Sequence, residues 1–136
     1  MIVNQLISAL FAFFVAMHDA TAVSSFERND APGPWMARFH RYNFWLKAAF
    51  CFGISITYLP DWIGSASAGV FSALWIYLVF DPVLAVSREP ARKWHYKGLN
   101  DADGRFWNKW GGGKVKAAVL ILAIIAANII YQTLLL

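Results

Sequence analysis

Charge is what this sequence has least of. Charged residues make up 15% of the 136 positions, against about 25% in ordinary soluble domains, and apolar residues reach 59%. A chain this short buries the smallest fraction of its surface, so a water-solvated core cannot hide that much apolar area. There is one cysteine, Cys51, so no intrachain disulfide forms, and inside an apolar run it reads as a small filler. The three histidines fall in separate segments without ligand spacing, and no metal site is expected. Gly111-Gly112-Gly113 follows no strand and lacks the Lys-Ser/Thr of a phosphate loop. No serine has a nearby base. The sequence therefore predicts no catalytic constellation and no cofactor. Met1-Ile2-Val3-Asn4-Gln5 carries no Lys or Arg, which argues against a secretory signal and predicts that the first apolar run is retained. There is no internal repeat.

What is present is four apolar runs. Residues 3–25 are long enough to cross a bilayer, which needs about 20 residues in a helix. Asn29-Asp30-Ala31-Pro32-Gly33-Pro34 is loop chemistry, with Pro34 suited to a first helical position. Trp35, Phe39, Tyr42 and Leu46 then share one helical face. Residues 42–59 and 62–80 are folded back on each other at Leu59-Pro60-Asp61-Trp62, where Asp61 can cap the second helix. Phe80-Asp81-Pro82 is expected to end that span. Ser87–Gly113 is basic and aromatic, with a short helix capped by Asn100 or Asp101 that stops before the glycines. Residues 115–136 supply a last span.

The expected fold is a single all-α membrane domain over residues 1–136. Four transmembrane helices surround a central helical hairpin, and basic interfacial segments line one face. Four crossings put all twelve Lys and Arg on one side, since they fall in Glu27–Lys47 and Asp81–Lys116. The positive-inside rule makes that side cytoplasmic and both termini external.

Candidate sites follow from the few polar groups. His18-Asp19 lies in the first run, where an ionisable pair is costly and points to ion or proton handling. Lys47 reaches similar depth. A structural Asp19–Lys47 ion pair, or an earlier end to the first helix, are the competing readings. Gly64/Ala68 and Ser65/Gly69 are small-xxx-small pairs that let helices approach closely. Near the outer face, Asn4, Gln5 and Ser8 come level with Asn128 and Gln132, and Ser55, Thr57, Ser65 and Ser67 share that half. Interhelical hydrogen bonds are expected there. Arg38, Arg41, Trp94, Lys97, Arg105, Trp107 and Lys109 suit anionic lipid headgroups better than nucleic acid. Asp101-Ala102-Asp103-Gly104 lacks the further oxygen ligands of a calcium loop and reads as a solvated turn.

The stretch Trp94-His95-Tyr96-Lys97-Gly98-Leu99-Asn100-Asp101-Ala102-Asp103-Gly104-Arg105-Phe106-Trp107 resembles a pattern in small multi-pass membrane proteins of unknown function from Bacteroidetes-type bacteria and their phages. His18-Asp19-Ala20 is a fainter echo. The resemblance implies a polytopic protein of a bacterial cytoplasmic membrane and carries no activity. The leading expectation is a non-catalytic helix-packing module of a homo-oligomer or membrane complex. The alternative is a small ion- or proton-coupled transporter or pore, including a phage-type lysis pore, using Asp19. A membrane enzyme ranks third.

Overall fold

The computed structural model describes the backbone of residues 1–28, 34–88 and 102–135; side chains 23–28, 34–37, 39, 40, 85, 88, 102–105 and 135 lie outside the description. Every regular element among them is an α-helix: α1 (Ile2–Arg28), α2 (Pro34–Ile56), α3 (Trp62–Arg88), α4 (Ala102–Lys109) and α5 (Gly113–Leu135). Three are long and apolar enough to cross a membrane, over Ile2–Ala22, Trp62–Leu84 and Gly113–Leu134. The second helix, which carries Arg38, Arg41 and Lys47, is not among them. Large apolar side chains face outward from the helices, Phe14, Phe52, Leu122 and Ile129 among them. A membrane protein is what such a surface fits, because water would penalise it and lipid does not.

Sequence chemistry explains most of the boundaries. Pro34 opens α2, where its missing N–H costs nothing. After Ile56 the chain turns through residues 57–60, and Asp61 caps α3 by accepting a hydrogen bond from the Ile63 amide at 3.1 Å. Beyond α4, the Gly112 amide donates to Trp107 O at 2.8 Å with Gly111 at φ 110° and Gly112 at φ 74°. Those left-handed glycines turn the chain into α5. Gly113 is thus the first residue of α5, where the sequence suggested a flexible break. One boundary differs more. α3 continues through Asp81-Pro82 to Arg88. Pro82 cannot donate to Leu78 O and its ring crowds that carbonyl, yet α3 continues, packed against α1, α2 and α5.

α3 is the central helix, packing against α1, α2 and α5, while α4 rests on α5. Contacts fix the directions. Gln5 meets Trp75 and Met17 meets Ser87, both pairs 70 residues apart, so α1 and α3 run parallel. Asn4–Tyr58 and the stacked Phe11–Phe50 rings set α2 antiparallel to α1. Phe71–Tyr131 and Asp81–Lys116 set α5 antiparallel to α3.

The α1–α3 contact is built from small residues at helical spacing. Ser8, Ala12, Ala16 and Ala20 are buried on α1, and Ala68 and Ser72 on α3. Residues this small let backbones come close and gain dispersion along the whole seam. Gly69 serves the other neighbour: a Cβ there would lie 2.5 Å from Ser55 Oγ of α2.

Candidate functional site

Two polar layers cross the bundle, about 20 Å apart along α1. The first is neutral and lies near the start of α1. Trp75 Nε1 donates to Gln5 Oε1 at 3.0 Å, Gln5 Nε2 donates to Asn128 Oδ1 at 3.0 Å, and Asn128 Nδ2 donates to Ile124 O at 2.8 Å. An indole can only donate and a carbonyl can only accept, so the orientation of both amides is determined from the two ends. The chain ties α3, α1 and α5 together. Ser8 and Ser72 share a buried bond of 2.9 Å, and Asn4 Nδ2 donates to Tyr58 OH at 2.7 Å. The expected meeting of Gln5 and Asn128 occurs; Tyr58, Ser72 and Trp75 were not anticipated. Gln132 is exposed, Thr57 in the turn donates to Ile54 O of α2, and Thr133 donates to Ile129 O of its own helix.

The second layer is charged and draws one residue from each long helix: Asp19 of α1, Lys47 of α2, Asp81 of α3 and Lys116 of α5. Asp81 and Lys116 form an ion pair. Lys116 is 3% exposed, and its Nζ also lies 4.4 Å from the Tyr77 ring centroid. Lys47 Nζ sits 3.0 Å over the centre of the Phe80 ring. Asp19, Asp81 and Lys116 all act on Lys47 through space. The four formal charges cancel. A neutral set is the arrangement a low-dielectric interior tolerates, because each unpaired charge there is heavily penalised.

Asp19 itself is only 4% exposed. α1 runs past it to Arg28, so the helix does not end near the pair. Nor does Asp19 make a direct ion pair with Lys47, which turns to Phe80 instead. His18 lies beside Asp19, at 3.7 Å from Nδ1 to Oδ1, and the His18 side chain is 70% exposed. Asn43 faces Asp19 from α2 and is near enough to act on its carboxylate as a polar neighbour, though without a well-formed hydrogen bond. Asn43 is 3% exposed, yet neither of its side-chain polar atoms, nor Asp19 Oδ1, has a hydrogen-bond partner.

The other sequence candidates fall in several places. Ala68 is fully buried, Gly64 is buried and Ser65 half-buried. A Cβ on Gly64 would run into Asp61 Oδ2 and Tyr58, so its smallness serves the α3 cap. Arg38, Arg41 and Lys109 are exposed, and Trp107 is half-buried. Trp94, Lys97 and Asp101, with the side chains of Asp103 and Arg105, lie outside the described residues, as does the loop at 29–33. Among the described residues no three His, Cys, Asp or Glu side chains gather as metal ligands would.

Sequence reasoning missed Asn43, Asp81 and Lys116. A signal existed for the first: Asn43 and Lys47 are four apart and share a helical face. The other two were assigned to the polar segment flanking the spans. No family model, curated protein or solved structure matches this chain.

Proposed function

We propose that this chain is a non-catalytic helix-packing module of a bacterial cytoplasmic membrane, assembling with itself or within a larger complex. In this reading α1, α2, α3 and α5 all cross the bilayer, with α2 and α3 as a central hairpin. Both termini are external and the basic segments cytoplasmic. The carrying observation is the charged layer: each of the four long helices supplies one residue to it. A helix lying outside the bundle would have no reason to place Lys47 there. The alternation of parallel and antiparallel neighbours supports four crossings, and the Lys and Arg content of the two joining segments supports the orientation. On the cytoplasmic face, exposed Phe106, Trp110 and Lys109 suit anionic headgroups beside the start of α5.

Topology tests it. In a Cys51→Ser background, single cysteines replace Asp61 and Lys109, and intact cells are treated with a membrane-impermeant maleimide. Labelling at 61 and protection at 109 is the expected outcome; labelling at both removes the four-crossing arrangement.

A second reading, a small proton- or ion-coupled transporter or lysis-type pore, is favoured by the unpartnered polar atoms at Asp19 and Asn43. Flux in proteoliposomes that Asp19→Asn abolishes, with folding intact, would place it ahead. Absence of flux under several ion gradients would leave Asp19 a packing group.

A further inference from the structure

Three buried polar atoms lack a well-formed hydrogen bond, Asp19 Oδ1 of α1 and Asn43 Oδ1 and Nδ2 of α2, and Asn43 lies beside the Asp19 carboxylate, close enough to act on it as a polar neighbour. Buried polar atoms almost always find a partner, and where protein supplies none an ordered molecule does. The charges around the contact restrict what that molecule is. On α1, His18 stands beside Asp19; from α2, Lys47 acts on it; behind Lys47 lie Asp81 of α3 and Lys116 of α5. A metal cation would face the Lys47 ammonium, and an anion would face the Asp19 carboxylate. A neutral molecule that both donates and accepts fits both. It can donate to Asp19 Oδ1 and Asn43 Oδ1 and accept from Asn43 Nδ2, which satisfies all three atoms at once. Water is the smallest molecule able to do this.

We infer that Asp19 and Asn43 form a water-binding site between α1 and α2, through which Asp19 exchanges protons with the bundle end where His18 is exposed. His18 borders the site on the outer surface of the bundle, close to the Ala22 end of the apolar stretch of α1, mostly exposed and with its Nδ1 3.7 Å from Asp19 Oδ1. In the exchange, hydronium arriving beside His18 passes a proton to the bound water, which delivers one to Asp19 Oδ1. Water remains at each position, and the reverse step restores the carboxylate. Asn43 holds the water in place and is a positioning residue. The site stands apart from the assembly reading, since a packing module can hold it without moving protons across the membrane.

The test is magic-angle-spinning NMR of the full chain in lipid bilayers, with transfer of magnetisation from bulk water. The Asn43 side-chain amide is expected to receive it several-fold faster than that of Asn128, whose atoms are bonded to Gln5 and Ile124. The Asp19 carboxyl carbon is expected to shift with pH. In Asn43→Leu, which removes two buried unpartnered atoms and so spares the fold, water transfer to the Asp19 side chain is lost and proton exchange slows. Absence of water transfer to Asn43 in the natural sequence overturns the site. A carboxyl shift that ignores pH, or an Asn43→Leu exchange rate equal to the natural one, overturns the proton route.

Discussion

At the scale of single residues, the charged layer makes a demand that the neutral layer does not. Lys116 is buried while Asp81 is about a third exposed, so removing one member of the pair costs less than in a fully buried pair, where the loss is about 3 kcal/mol, whereas removing both is often neutral. Lys116→Ala is therefore expected to lower the thermal midpoint in detergent. Adding Asp81→Leu should recover most of the loss. Equal, additive losses would show that the pair is not coupled. In the neutral layer, Gln5→Leu breaks two bonds at once, stranding Trp75 Nε1 and Asn128 Oδ1. Interhelical hydrogen bonds in membranes average about 0.6 kcal/mol, so a loss of about 1 kcal/mol is expected in reversible unfolding, smaller than for Lys116→Ala. Asn43 shows why residues of this kind are hard to read from sequence. An asparagine beside Tyr42 and Phe44 looks like an interfacial residue, and only the placement of α1 opposite α2 turns it inward.

Whole helices were more legible than their ends. The apolar runs, the Asp61 cap, the Pro34 start and the short helix before the glycines follow from local chemistry, and each has its counterpart in α1–α5. The continuation of α3 past Pro82 does not, because it depends on what the extra turns pack against. The small residues tell a similar story. The run from Gly64 to Gly69 suggested a surface for another helix, but Gly69 already receives Ser55 and Ala68 is already covered. The companion stripe Ser8, Ala12, Ala16, Ala20 was visible at four-residue spacing and went unread. Gly69→Leu is consequently expected to separate α2 from α3 within one chain, seen as a lower unfolding midpoint before any change in oligomer size. Gly111→Ala introduces a side chain at φ 110°, 2.7 Å from Val115 Cγ2. Strain of about 1–3 kcal/mol should loosen α4 from α5. Faster amide exchange confined to α4 and the start of α5 would show it.

For the whole molecule, the division of surfaces matters most. Polar and small side chains face inward, while α1 and α5 turn large apolar residues outward, including Phe14, Leu122, Ile125 and Ile129. Thr133 returns its hydroxyl to Ile129 O at 2.8 Å, so even this exposed polar group makes no demand on its surroundings. If the chain assembles, the contact lies on these outer faces and not on the small-residue seam. Photo-crosslinking residues at Phe14 and Leu122 are expected to yield a discrete dimer or complex in native membranes. Monomer alone at both positions would remove the assembly reading.

The order in which the charges leave the ribosome adds a constraint of its own. Asp19 of α1 emerges first, and its counter-charge on Lys47 follows with the next helix. Asp81 of α3 must wait a further 35 residues for Lys116. During that interval Lys47 of α2, on which Asp81 acts through space, is already in the chain, while the Asp81–Lys116 ion pair is still to form. The charged layer is therefore complete only when α5, the last helix of the chain to be made, has arrived.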